Sequence, residues 1–384
     1  MRRGFRIFNH ARKSRIHRHA LETQMKFAKS VGWFLEKAVS SKLVLAVPSL
    51  VLAMMGTLGA EQPGNILAPD SKGPSNKVVA TIPCGFRPTD AVVTSDNQTV
   101  YVAGRYTNTV IVINATTNTV TTSIPVGNLP TGVAMTKDGS TLYVTNYSAS
   151  SVSVINTSTN LVTATIPVDE EPYYLAVSPD GSSVYVATDG FVNEGAISVI
   201  NTATNAVTEI PTQQNNIGIQ VAFNPSGKEA YVSSYKGIKK QPDYLFEVDP
   251  ATQKVTKMLN LASAGNVTLA VTPNGKSLYI AEEKEVAVLD IVENKVVKNI
   301  PLPKEFRFPF KGAITPDGKY FYLPVEIGQE VVMIDLTTNR YVEAFQVGAG
   351  AFPTSLTIAP NGHYAYVTDS SSPGALIVID ISGS

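Results

Sequence analysis

The chain has 384 residues, 43% of them hydrophobic and 16% charged, a balance that builds a large core and excludes disorder. Its single cysteine, Cys84, excludes an intramolecular disulfide framework, a cysteine-rich zinc module and a dithiol redox centre. The formal net charge of +0 hides an asymmetry: residues 1–60 hold 11 of the 31 Lys+Arg and 2 of the 31 Asp+Glu, which leaves 20 bases against 29 acids, a net of −9, over 61–384.

Taken in chain order, the first element is a basic stretch followed by sixteen uncharged residues, 43–58, and the small residues Gly59 and Ala60. That order is the pattern of a secretory signal peptide, and sixteen residues broken by Pro48 fall short of the roughly 20 that span a bilayer comfortably. Residues 1–60 are therefore expected to be a leader, cleaved near Ala60 or kept as a short anchor, with Met25 as an alternative start. Residues 61–75 read as a linker, and the folded domain is expected to occupy 76–384.

From there the chain repeats itself. Turns of the Asp-Gly kind recur at Asp96, Asp138, Asp180, Ser226, Asn274, Asp317 and Asn361, and a tyrosine follows five residues after each: Tyr101, Tyr143, Tyr185, Tyr231, Tyr279, Tyr322 and Tyr366. Each unit also carries an apolar run ending in Asn or Asp (Asn114, Asn156, Asn201, Asp249, Asp290, Asp335, Asp380) and an Ile-Pro-Val-Gly-like segment. The pattern is four short β-branched strands per unit with no helical period, the signature of a propeller blade. The expectation is an all-β, seven-bladed β-propeller of four-stranded antiparallel blades. The seventh unit stops at Ser384 where its outermost strand should begin, and an orphan copy of that strand, about 76–83, precedes the first full unit. The N-terminal strand should complete the last blade and close the ring.

The tetrapeptide Tyr143-Val144-Thr145-Asn146 and the segment Leu175-Ala176-Val177-Ser178-Pro179-Asp180-Gly181 resemble the motifs of the YVTN family of extracytoplasmic β-propeller repeat proteins. The resemblance covers roughly 76–384 and implies an exported propeller of the surface-layer or periplasmic type. For most members no reaction is implied. Some relatives of this kind bind single-stranded DNA. The repeat names a scaffold, so function has to come from a site.

Alternating strand direction puts the Asp-Gly turns and the Asn-rich turns on one end of the ring, where they hardly vary. The other end varies from blade to blade. The innermost strands begin near Pro88, Pro130, Pro172, Pro309 and Pro353, and two residues on in each unit stand Asp90, Gly132, Tyr174, Gln220, Thr268, Lys311 and Ser355, expected to ring the channel mouth. Insertions at 189–195 and 236–243 fall in loops of the same end. Candidate binding residues in the first three units are Arg87, Asp90, Arg105, Glu171, Tyr173 and Tyr174. The later units contribute Gln220, Tyr235, Arg307, Phe310, Lys311 and Phe352. Aromatic side chains there supply contact area and the charges supply polarity.

No cofactor or metal site is expected. His363 is the one histidine after residue 60 and Trp33 the one tryptophan, so haem, multi-histidine copper and tryptophan-stacked quinone sites lack their residues. The expected function is an exported, non-catalytic, monomeric propeller that binds a small ligand or a protein at the cell envelope, with no membrane span in the mature domain. Two alternatives remain open. One is a propeller hydrolase, lactonase or lyase using carboxylates such as Asp90, Glu171, Glu194, Glu282 and Glu326. The other is single-stranded nucleic acid binding through Lys236, Lys239 and Lys240 beside Tyr235 and Tyr244, against which the net of −9 argues. Cys84, which replaces the valine of an Ile-Pro-Val-Gly segment, is expected to be a small buried hydrophobe.

Overall fold

In the computed structural model the described residues are 73–85, 87–188, 196–212, 217–235, 243–261 and 267–383. They form seven antiparallel sheets, one per repeat, called here blades I to VII with strands A to D from the channel outward. The leader and most of both loop insertions lie outside the described residues. Among the described residues, no helix is long and apolar enough to cross a membrane.

Blade I shows why the repeat folds as it does. Its strands are Pro88–Val93, Thr99–Gly104, Thr109–Asn114 and Thr119–Pro125. Strands B and C are buried on both faces, which is why they read as unbroken apolar runs rather than as alternations. Strand D is exposed except at Ile124. The isoleucine of each Ile-Pro segment (Ile82, Ile124, Ile166, Ile210, Ile300) is buried, pinning an otherwise solvated edge strand. In the A–B turns the glycines of the six Gly-containing copies have φ between 67° and 75°, and Asn97 takes that place in blade I with φ 60°. Asp138 shows what the preceding acid does: its Oδ1 accepts from the Ser140 N–H at 3.1 Å and the Thr136 hydroxyl at 2.6 Å. These are the local bonds that fix such turns.

The core is divided by interface. One apolar cluster joins Tyr101, Val112 and Ile124 of blade I to Val133, Leu142 and Ile155 of blade II, and six equivalent clusters fill the other junctions. The tyrosine that follows each turn belongs to this packing. Tyr101, Tyr279 and Tyr322 donate to the side-chain oxygens of Asn160 (2.9 Å), Asn339 (2.5 Å) and Asn76 (2.8 Å) in the next blade. The accepting asparagine sits just before strand D with left-handed φ, between 47° and 55° at these three positions, which asparagine tolerates better than most residues. In blade IV the equivalent residue is Gln253, whose Oε1 accepts from the Thr208 hydroxyl at 2.9 Å instead. The Tyr185 hydroxyl facing blade IV is buried without a partner, as are the amide oxygens of Asn118 and Asn294.

Ring closure follows the sequence expectation. Lys77–Gly85 pairs antiparallel with Gly374–Asp380 as strand D of blade VII, from Lys77 opposite Asp380 to Gly85 opposite Gly374. Ser75 N–H donates to the Ser382 carbonyl at 3.2 Å, and Pro74 bridges to Gly383. Blade VI departs from the four-strand plan. Its inner strand is broken into Arg307–Pro309 and Ala313–Ile314.

Candidate functional site

That break builds the most connected part of the variable end. Phe310 N–H still donates to the Pro324 carbonyl of its own sheet at 2.9 Å, and at Lys311 the chain turns to the next blade. The Lys311 carbonyl accepts from the Leu356 N–H of blade VII at 2.8 Å, and Lys311 forms a parallel bridge with Ser355. Gly312 is required by close approach, since a Cβ there would collide with the Tyr322 carbonyl. The excursion lets the Lys311 ammonium reach Asp90 of blade I, with Nζ 2.9 Å from Oδ1 and 2.7 Å from Oδ2. Asp90 is 0% exposed. Besides Lys311 it accepts from the Ser355 hydroxyl at 2.8 Å and from the Val133 N–H of blade II at 3.1 Å. A buried carboxylate needs that set of donors to stay charged without a large penalty. The same ammonium lies 5.2 Å from the centroid of the Tyr174 ring of blade III, within cation–π range. Burial, reinforced by the Asp90 charge, raises the Tyr174 phenol above its ordinary range, so its hydroxyl stays protonated. One charge pair thus ties together blades I, II, III, VI and VII.

An aromatic and cationic arc runs from this cluster over blades I to III. Tyr173 packs edge-on against Tyr147 at 5.2 Å and lies beside Tyr174 at 6.5 Å. The Tyr147 hydroxyl donates to Glu171 at 2.6 Å, and the Arg105 guanidinium sits over the Tyr147 ring at 5.2 Å. Arg87 sits over Tyr106 at 5.5 Å. The Arg105 N–H donates to the Arg87 carbonyl at 3.1 Å, joining the two loops. On the other side Phe310 and Phe352 pack edge-on at 6.2 Å.

Other expected site residues lie apart. Arg307 pairs with Glu283 at 3.3 Å. Gln220 is buried and clasps blade V: its Oε1 accepts from the Thr268 hydroxyl (2.7 Å) and the Leu269 N–H (2.9 Å), and its Nε2 donates to the Leu269 carbonyl (3.0 Å). Asp90 and Gln220 therefore share one task, accepting from the inner-strand N–H of the following blade. Glu326 is half-buried, with its carboxyl raised by burial. Tyr235 ends a strand, but its side chain lies outside the described residues, as do Glu194 and Lys236, Lys239 and Lys240. Among the described residues no three or more His, Cys, Asp or Glu side chains come together as a metal site would need.

Two features of this end were not anticipated. The hydroxyls of Thr89, Thr131 and Thr354 donate to the carbonyls of Pro130, Pro172 and Pro88 in the next blade, at 3.2, 3.1 and 3.4 Å; the repeated Pro-Thr dipeptide was the available signal. The residue before the inner-strand proline also has the same left-handed backbone in four blades: Arg87 (φ 50°), Leu129 (52°), Glu171 (53°) and Phe308 (54°). Backbone geometry is constant there while the side chain changes from cation to aliphatic to anion to aromatic.

No protein-family model and no curated protein matches the chain. Among solved structures the chain is similar to the hydrazine synthase of Kuenenia stuttgartiensis, with TM-score 0.70 and 22% identity over 85% of this chain and 100% of that one. It is also similar to the Cps50 (Swd1) β-propeller domain of Myceliophteria thermophila, with TM-score 0.66 and 12% identity over 80% of this chain and 100% of that one. At these identities the likeness is one of fold: the chain is a seven-bladed β-propeller.

Proposed function

We propose that this protein is an exported, non-catalytic binding propeller of the YVTN kind that holds a small ligand or a protein partner over the channel mouth. The observation that carries the reading is the constant left-handed position at Arg87, Leu129, Glu171 and Phe308, where one backbone geometry presents four chemistries. A purely structural position repeats its side chain, as the tyrosines after the turns do. Divergent side chains on a constant frame are how a scaffold displays a recognition surface. The Lys311–Asp90 pair and the tyrosines beside it give that surface a rigid floor, which suits binding with little ordering cost. Export rests on the basic and apolar order of residues 1–60.

The test is a thermal-shift screen of the full chain against divalent cations, lactones, cell-wall glycans and oligonucleotides, followed by the triple variant Y174A/F310A/F352A. A ligand at a hundred times its Kd stabilises a fold by about 2.7 kcal/mol. The expected result is a hit that the triple variant loses. A hit kept by the triple variant and lost on changing the opposite turns, or turnover of a lactone, overturns the reading.

A further inference from the structure

On this end of the ring Lys311 and the three arginines divide into two kinds. Lys311 and Arg307 are neutralised by Asp90 and Glu283. Arg87 and Arg105 have no carboxylate within salt-bridge distance among the described residues, and their guanidinium groups lie over the Tyr106 and Tyr147 rings. A guanidinium laid over an aromatic ring is held in orientation by its face while the N–H groups at its edge stay available. Two such groups stand on neighbouring loops that the Arg105 N–H to Arg87 carbonyl bond fixes together. Tyr147, under Arg105, is itself held by Glu171 and Tyr173.

We infer that Arg87 and Arg105 form a receptor for the carboxylates of a small organic acid, each guanidinium offering a two-pronged N–H edge. This rests on the reading of the variable end as a ligand surface and names the chemistry that surface takes. The planar fork matches a carboxylate, the pair suits a di- or tricarboxylate, and flanking tyrosine rings can cover an apolar ligand body. The acidity of the domain as a whole disfavours a long polyanion and leaves a short, locally recognised one.

The experiment is calorimetric titration of the full chain with succinate and citrate at two salt concentrations, with inorganic phosphate, sulfate and a short oligothymidylate as separate arms. Charge-assisted bonds of this kind are worth about tenfold or more in affinity each. The expected result is carboxylate binding that weakens about tenfold or more in R87A and in R105A, partly in R105K, and less than about twofold in K276A on the opposite end. Circular dichroism melts of each variant separate loss of binding from loss of fold. Equal binding of phosphate or sulfate, or binding of the oligothymidylate alone, overturns the carboxylate assignment. Absence of carboxylate binding, or binding indifferent to both arginines, overturns the inference. A hit from the broader screen that needs Tyr174, Phe310 and Phe352 but neither arginine would leave the binding-surface reading standing and remove this inference alone.

Discussion

The interblade clasp that blade IV lacks makes a quantitative prediction. Tyr185 is 1% exposed, and its hydroxyl has no partner, while Gln253 stands where Asn160, Asn339 and Asn76 accept from the corresponding tyrosines. Replacing Gln253 by Asn shortens the side chain by one methylene and supplies the residue type that closes the bond at Asn160, Asn339 and Asn76. An unpaired buried hydroxyl costs about 1–3 kcal/mol and a net hydrogen bond contributes about 1 kcal/mol. Asparagine also fits φ 52° better than glutamine does, at the small cost of an exposed Thr208 contact. Q253N should therefore stabilise the domain by about 1 kcal/mol. With an unfolding entropy of about 2.1 cal/mol/K per residue, that is about 1.5 °C in Tm for a propeller of this length. The sharper assay is a double-mutant cycle by urea unfolding. Y185F should be neutral or stabilising in the native sequence and destabilising by about 1 kcal/mol in the Q253N background, a coupling of about 1 kcal/mol. Y279F, which breaks a formed clasp, should cost about 1 kcal/mol at once. A coupling of zero, or a Y185F as costly as Y279F, refutes the account of the repeated tyrosine.

Other consequences can be measured directly. K311M should destabilise by about 3–5 kcal/mol because it strands Asp90 as a buried unpaired charge, and D90N/K311M should recover most of that loss in urea titrations. Burial pushes the Cys84 thiol up to about 12, so a thiol reagent should react with native protein at pH 8 only at the rate of unfolding; C84V should stay within about 1.5 kcal/mol of the native protein. The turn carboxylates of Asp96, Asp138, Asp180, Asp317 and Asp380 are all held below their ordinary range by the hydroxyl and N–H donors around them. A carboxylate lowered in the folded state contributes stability that is present above its unfolded value, about 3.9, and is lost as pH falls through the folded one. The urea midpoint should therefore drop below about pH 4, and a midpoint still rising there would contradict those assignments.

The parts legible in the sequence are those that every blade must build again. Tyrosines stand at a fixed offset because each meets the same neighbour, the turn glycines recur because each turn needs positive φ, and Lys77–Gly85 matched its siblings because it fills the same slot. The site was only half legible. Position in the repeat located Asp90, Tyr174, Lys311 and Ser355 at one end, but their convergence depends on the break at 310–312, which no local pattern announces. The Lys311–Asp90 contact spans 221 residues of sequence. Asp90 and Gln220 differ in charge and so read as variable, yet both accept from the next blade's N–H. Hydrogen-bonding capacity was the conserved physical quantity, and residue identity concealed it.

The junction at Pro74 and Gly383 has a practical side. Because the chain leaves and re-enters the ring within a single hydrogen bond, residue 74 can be spliced to residue 383 with a short linker and the polypeptide reopened in any of the Asn-rich turns, such as that between Asn156 and Leu161. The blades carry no order of rank, so such circular permutants should fold to the same ring. A series of them would let a fluorophore or a fusion domain be stationed at each junction in turn, converting the propeller into a dial on which the bearing of a bound ligand can be read.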